Sequence, residues 1–146
     1  MVIPGTVVLG GEGSGQLVWT PNPLSFWGGV DPEAGMVVDQ HHPLAGQKIG
    51  GKVLAIPHTR GSSTSSGVLL EMIRRGTAPT VIITQQLDPI LTLGALIGGK
   101  IYGRRPVVVT ISPEDFQQLA SETFAAVDMA GRVTTWGEYE KEREDR

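Results

Sequence analysis

The apolar positions of this chain come in short runs, and the spacing within them switches between strand-like and helix-like. Val53-Leu54-Ala55-Ile56 is a continuous aliphatic run closed by Pro57, as expected of a strand covered on both faces. After a polar interval, Val68, Leu69, Met72 and Ile73 recur at helical spacing, and Gly76 stands where a C-terminal cap belongs. The succession then repeats. Val81-Ile82-Ile83-Thr84 reads as a second buried strand, and Asp88-Pro89 opens a Gly- and Ala-containing helix through Gly98. Pro106-Val107-Val108-Val109-Thr110 is a third strand. Ser112-Pro113-Glu114-Asp115 combines an N-cap serine, a first-position proline and early acids, which predicts a helix to about Ala120. Phe124–Val127 and Arg132–Trp136 read as closing strands around an Asp128–Gly131 turn. Strands alternating with helices argue for parallel pairing in this half, hence an α/β domain whose ligands collect at the carboxyl ends of the strands.

The first third is organised differently. Val7-Val8-Leu9 and Gln16-Leu17-Val18-Trp19 predict strands on either side of Gly10-Gly11-Glu12-Gly13-Ser14-Gly15, a hairpin or loop. That glycine run misses the dinucleotide-loop spacing in every frame. Prolines at 21 and 23 break the chain before Leu24–Gly35, where Phe26 and Trp27 stand beside Gly28, Gly29 and Asp31. The aromatics either cover the core edge or, with the glycines and Asp31, line a cleft or face a partner. Met36-Val37-Val38 is a short strand. The polar turn region from Asp39 to Gly50 holds His41 and His42, read as a surface pair because neighbouring histidines on an extended chain do not readily share a metal. Gly46–Lys52 and Gly94–Lys100 approach a phosphate P-loop. They place Val53 or Ile101 where the magnesium-binding hydroxyl belongs, and are rejected.

Composition narrows the field. With 146 residues, 40% of them hydrophobic, the chain suits one globular domain, and its 20 glycines and 10 prolines fit short elements and tight turns. The formal net charge of −3, without a basic patch interleaved with aromatics, disfavours nucleic-acid binding. Cysteine is absent. That removes disulfides, thiolate nucleophiles and any iron–sulfur cluster bound through this chain's own cysteines, and it fits a cytoplasmic location. No apolar run has bilayer-spanning length, so no membrane association is expected. From Gly137 the chain turns into a run of charges, giving a domain at 1–136 and a charged tail at 137–146.

The strand-to-helix interval is His58-Thr59-Arg60-Gly61-Ser62-Ser63-Thr64-Ser65-Ser66-Gly67. One hydroxyl suffices to cap a helix, and this loop offers a surplus. A helix N-terminus favours an anion, Arg60 adds a fork-shaped cationic donor, and Gly61 permits close approach to the backbone. Ser62 and His58 could also be read as nucleophile and base, but Ser62 lacks the elbow motif of such hydrolases. A non-catalytic domain, with the loop as a cap and Phe26-Trp27 as an interface patch, is a further alternative.

Taken together, Phe26–Gly35, His42-Pro43-Leu44-Ala45-Gly46, Pro57–Gly67 and Asp88-Pro89-Ile90 before a Gly/Ala helix resemble the small subunit of the aconitase X family. The resemblance covers roughly residues 1–136. It implies an aconitase-like swivelling β/β/α domain, a barrel-like sheet with flanking helices. It also implies a large-subunit partner that holds an iron–sulfur cluster, no metal on this chain, and dehydration of a small hydroxy acid. By the same resemblance Ser62 is the proton-abstracting residue, with Arg60, Gly61, Ser63 and Thr64 beside the substrate. Archaeal members act on 5-phosphomevalonate and usually carry Gly-Lys-Gly-Ser-Thr at this loop. Many bacterial members act on cis-3-hydroxy-L-proline, and Thr59-Arg60-Gly61-Ser62-Ser63 stands nearer to theirs.

Overall fold

The computed structural model describes residues 1–138; of the charged tail, residues 139–146 lie outside the described residues. In chain order the strands are β1 (Val2–Ile3), β2 (Thr6–Leu9), β3 (Gly13–Trp19), β4 (Val30–Asp31), β5 (Met36–Val37), β6 (Val53–Ala55), β7 (Val81–Thr84), β8 (Val107–Thr110), β9 (Phe124–Val127) and β10 (Val133–Trp136). The helices are α1 (Ser65–Arg75), α2 (Pro89–Tyr102) and α3 (Pro113–Gln118), the last running into a 3₁₀ turn at Leu119–Ser121.

The β-branched runs form the middle of an eight-stranded sheet, ordered β1-β10-β9-β3-β6-β7-β8-β2. Strands β3, β6, β7 and β8 are mutually parallel, as the alternation of strand and helix predicts, and the outer strands are antiparallel. Register lines up Val18, Leu54, Ile82 and Val108 across the parallel strands, and Leu17, Val53, Val81 and Val107 in the next row. Successive side chains point to opposite faces, so these rows belong to different cores. The first packs against Leu69, Met72 and Ile73 of α1 and Leu91 and Ala95 of α2. The second packs with Ile3, Phe116, Leu119, Ala125, Val127 and Val133. Apolar cover on both faces explains why these strands read as continuous hydrophobic runs.

Strands β1 and β2 lie at opposite edges of the sheet yet are separated in sequence only by Pro4 and Gly5. The sheet must therefore curl until its edges approach. This is the barrel-like architecture with flanking helices that the resemblance implies.

Several local expectations change. The glycine run does not close a hairpin: β2 pairs with β8, whereas β3 pairs with β6 and β9 and begins inside the run at Gly13. Helix α1 starts at Ser65, before its apolar face begins at 68, because Ser65 is buried there. Helix α2 continues past Gly98 to Tyr102. His41 and His42 do not form a surface pair. His41 is exposed, but His42 is buried at 7% exposure. The Nδ1 of His42 accepts the Leu44 N–H at 3.0 Å, and its Nε2 lies 3.1 Å from the Pro23 carbonyl oxygen. With Nδ1 accepting, Nε2 carries the proton, and the neutral ring pins the 20–45 excursion to itself.

Candidate active site

The carboxyl ends of β6 and β7 feed α1 and α2, so the two helix N-termini lie side by side; Ser66 Oγ donates to the Ile90 carbonyl at 2.6 Å. The hydroxyl-rich loop rises between β6 and α1 and is held from two directions. On one side Thr59 bridges to Leu24, and Arg60 N–H donates to the Leu24 carbonyl at 3.2 Å. On the other, the Thr59 N–H and hydroxyl donate to Asp88 Oδ2 at 2.7 and 2.6 Å.

Past Arg60 the loop turns outward. Gly61 has φ +103°, in the region that favours glycine, and a β-carbon there would sit 3.1 Å from Ser25 Oγ. Gly61, Ser62, Ser63 and Thr64 are all exposed, and so is Arg60. The Ser62 hydroxyl accepts the Thr64 N–H at 3.1 Å and shares a hydrogen bond with the Thr64 hydroxyl at 2.9 Å. The Arg60 guanidinium has no partner among the described residues.

The polarity at the mouth of α1 arises differently from the sequence expectation. The N–H groups of Ser65, Ser66 and Gly67 are answered at 3.0–3.1 Å by the carbonyls of Ser62, Ser63 and Thr64. The donors left without an acceptor among the described residues are those of Gly61, Ser62 and Ser63, in the loop itself. Helix α1 also has no acid in its first turn and no side-chain cap, whereas α2 is capped by Asp88. The positive end of the α1 dipole thus stays uncompensated beneath Ser62, and that of α2 is answered internally.

The Leu24–Gly35 segment divides. The Trp27 N–H donates to Ser65 Oγ at 3.2 Å, and its carbonyl accepts from Ser25 Oγ at 2.9 Å. Its backbone is thereby fixed beside the loop while its side chain is 60% exposed. Gly28 is exposed as well. Phe26 is fully buried in the core formed with α1 and α2, so it does not line a cleft or offer a surface to a partner. Gly29 is also buried, with the Ser25 carbonyl where a β-carbon would be. Asp31 caps its own turn, Oδ1 accepting the Glu33 N–H at 2.9 Å. The structure thus brings Trp27 to the Arg60–Thr64 loop and sets Phe26 behind it. His58 Nδ1 bonds the Thr59 carbonyl at 2.7 Å, and Ser62 Oγ bonds Thr64, so no nucleophile–base pair is assembled between them. Thr59, Ser65 and Asp88 make hydrogen bonds at the base and flank of the loop, and sequence reasoning gave none of them a role there. Asp88 was legible as a helix cap and as part of the family resemblance.

A parallel-centred, curled sheet with helices packed on it and a hydroxyl loop at its strand ends defines an α/β domain. The sequence matches the aconitase X swivel domain model over residues 2–135, and the chain belongs to that family. It is 45% identical over 125 residues to the cis-3-hydroxy-L-proline dehydratase of Pseudomonas aeruginosa, covering 86% of this chain and 21% of that protein. A protein of the same name from Hypocrea jecorina is 43% identical over 131 residues, covering 90% and 22%. The phosphomevalonate dehydratase small subunit of Methanothermobacter thermautotrophicus is 46% identical over 93 residues, covering 64% and 71%. The chain thus spans about a fifth of the length of the first two relatives. Among solved structures, holo aconitase X of Thermococcus kodakaraensis superposes with a TM-score of 0.79 at 31% identity, covering 92% of this chain and 98% of that one.

The iron–sulfur cluster implied by the resemblance does not fit the donors present. The sequence has no cysteine, and no group of three or more His, Asp or Glu side chains gathers among the described residues. Among those residues, no helix is long and apolar enough to cross a membrane.

Proposed function

We propose that this chain is the small, swivelling component of an aconitase X-type hydro-lyase. Ser62 abstracts a proton during dehydration of cis-3-hydroxy-L-proline, and a larger partner binds the iron–sulfur cluster. A chain without cysteine suits a reducing, cytoplasmic setting. The observation that carries the reading is the state of Ser62: exposed above an uncompensated helix mouth, with its oxygen already receiving the Thr64 N–H at 3.1 Å.

The chemistry follows from those surroundings. The substrate carboxylate lies against the Arg60 guanidinium and the free N–H groups of Gly61, Ser62 and Ser63. The hydrogen on the carbon next to the carboxylate is made more acidic by that pairing. Serine is far too weak a base unless its alkoxide is stabilised. The Thr64 N–H and hydroxyl, the α1 dipole and Arg60 together do this. Ser62 Oγ, its own proton first passed to solvent water, takes the α-proton. The C–H electrons form the new double bond, the C–O bond to the β-hydroxyl breaks, and the hydroxyl takes that proton back from solvent and leaves as water. Assistance to that departing oxygen comes from the partner, since no group of three or more metal-binding side chains gathers among the described residues. Trp27 and Gly28 face the partner at the edge of the loop.

The wider coverage of this chain by the hydroxyproline dehydratases, 86% and 90% against 64%, favours that substrate. 5-Phosphomevalonate is the second reading, favoured by the 46% identity to a protein that is itself a small subunit. The test is turnover of both hydroxy acids by the complex with its larger partner, with Ser62 intact or replaced by alanine. Ser62→Ala should lower kcat by about 10²–10⁴-fold. A near-normal rate would remove Ser62 from the mechanism, and activity of this chain alone would contradict the division of labour.

A further inference from the structure

One carboxylate beside the loop has two separate tasks. Asp88 is 6% exposed and has no ion-pair partner among the described residues. Its Oδ1 accepts the N–H groups of Ile90 and Leu91 at 3.1 and 3.2 Å, which caps α2. Its Oδ2 points the other way and accepts the Thr59 N–H and hydroxyl at 2.7 and 2.6 Å. The Oδ2 bonds are the shorter pair. Capping a helix requires only one oxygen and can be done by Asn or Ser equally well. Holding two donors of Thr59 on the second oxygen is an additional requirement, and it calls for a group that accepts on both sides. A carboxylate does; an amide presents an acceptor on one side and donors on the other.

Thr59 is the root of the hydroxyl loop. Ahead of it the chain leaves β6 at Ala55 and runs through Ile56, Pro57 and His58, and directly after it Arg60 and Gly61 turn outward to Ser62. Its opposite flank bridges to Leu24. Removing Oδ2 as acceptor would leave the loop root anchored on the Leu24 side alone, with a part-buried N–H and hydroxyl unsatisfied. We propose that Asp88 is the positioning residue of the Ser62 loop, fixing its root to the N-terminus of α2 through Thr59 while capping that helix with its other oxygen. The idea deepens the dehydratase reading, because the loop it holds is the one that carries Ser62, but its test does not depend on that reading.

The experiment is amide hydrogen exchange, residue by residue, on the full chain and the variants Asp88→Asn, Thr59→Val and Thr59→Ser. Asp88→Asn keeps an oxygen for the α2 cap and turns amide hydrogens toward Thr59. Thr59→Val removes one donor of the pair and leaves the cap untouched; Thr59→Ser restores that donor. Exchange at Thr59, Arg60 and Ser65 should quicken by about tenfold in Asp88→Asn, and measurably in Thr59→Val at Arg60 and Ser65, while the amides of Ile90–Ala95 stay within about twofold of wild type. Thr59→Ser should return the loop to wild-type rates. Unchanged loop exchange in both Asp88→Asn and Thr59→Val would overturn the proposal. So would loss of α2 protection alone in Asp88→Asn, since Asp88 would then be a helix cap and nothing more. Because exchange is read on this chain without partner or substrate, failure here is separable from failure of the dehydratase reading, which turnover of the complex decides.

Discussion

Gly94 of α2 packs against the backbone of α1, and its replacement by alanine gives the sharpest test of how the site is built. A β-carbon at 94 would lie 2.7 Å from the Ser66 carbonyl oxygen, 3.2 Å from Ser66 Cα and 3.4 Å from Leu69 Cβ. The nearest of these atoms are main chain in the first turn of α1 and cannot rotate away. Gly98 offers a contrast, since the atom 2.5 Å from its β-carbon would be Cδ1 of Ile73, the end of a side chain. At Gly67, on the open side of α1, nothing lies within 4 Å. All three are helical, so alanine gains about 1 kcal/mol of helix propensity at each. Gly67→Ala should therefore be stabilising by about that amount. At Gly94 the gain is opposed by overpacking, which costs about 3 kcal/mol when backbone must move, leaving a net loss of about 2 kcal/mol. For a domain of this size that lowers Tm by about 6 °C. Gly98→Ala should fall between the two. Thermal unfolding followed by far-UV circular dichroism ranks the three. If Gly94→Ala raised Tm as Gly67→Ala does, the two helix N-termini would not be locked together, and the fixed placement of the loop would lose its support.

Two further outcomes follow from other parts of the molecule. The Glu71 carboxyl, hydrogen-bonded first by Arg74 and then by Arg75, is held down from its ordinary 4.5 to about 2. A lowered folded-state value stabilises the protein above the ordinary one and loses that contribution as pH falls. Glu71→Gln should therefore unfold at a lower temperature than wild type near neutrality. The gap should close as pH drops from 4.5 toward about 2, and it should also narrow in high salt; a gap constant with pH would refute the pairing. Trp27→Ala should weaken binding to the larger partner by about thirtyfold or more and abolish a blue shift of tryptophan emission on mixing. Binding of unchanged strength, measured by titration calorimetry, would place the partner on another face.

Much of this fold can be read from local chemistry. Ser112 does accept the Asp115 N–H at 3.1 Å, and Asp88 does cap the helix opened by Pro89. The parallel strands were legible because both of their faces are covered, which leaves no polar alternation to confuse them. What escaped notice depends on partners distant in sequence. Val2–Ile3 is too short to register as a strand and exists through its pairing with Val133 and Thr134. His42 looks like a surface residue until the Pro23 carbonyl and Leu44 N–H are brought to it. Phe26 and Trp27 are adjacent and both aromatic, yet one fills the core and the other meets solvent while its N–H bonds Ser65, 38 residues on. At the loop, the family resemblance singled out Ser62, but only the folded chain discloses that the donors left over belong to Gly61, Ser62 and Ser63 rather than to the helix.

The pairing of β1 with β10 bears on how the chain is made. Residues 2 and 3 are synthesised before the rest of this domain, and their partners at 133 and 134 follow about 130 positions later. Strands β6 to β8, whose neighbours follow at short intervals, can assemble during synthesis, whereas contacts of such long range form slowly. During that wait β1 lacks its partner strand and presents unpaired backbone to neighbouring chains, the condition under which sheet edges recruit one another. Newly made copies are thus most prone to aggregate just before β1 docks on β10.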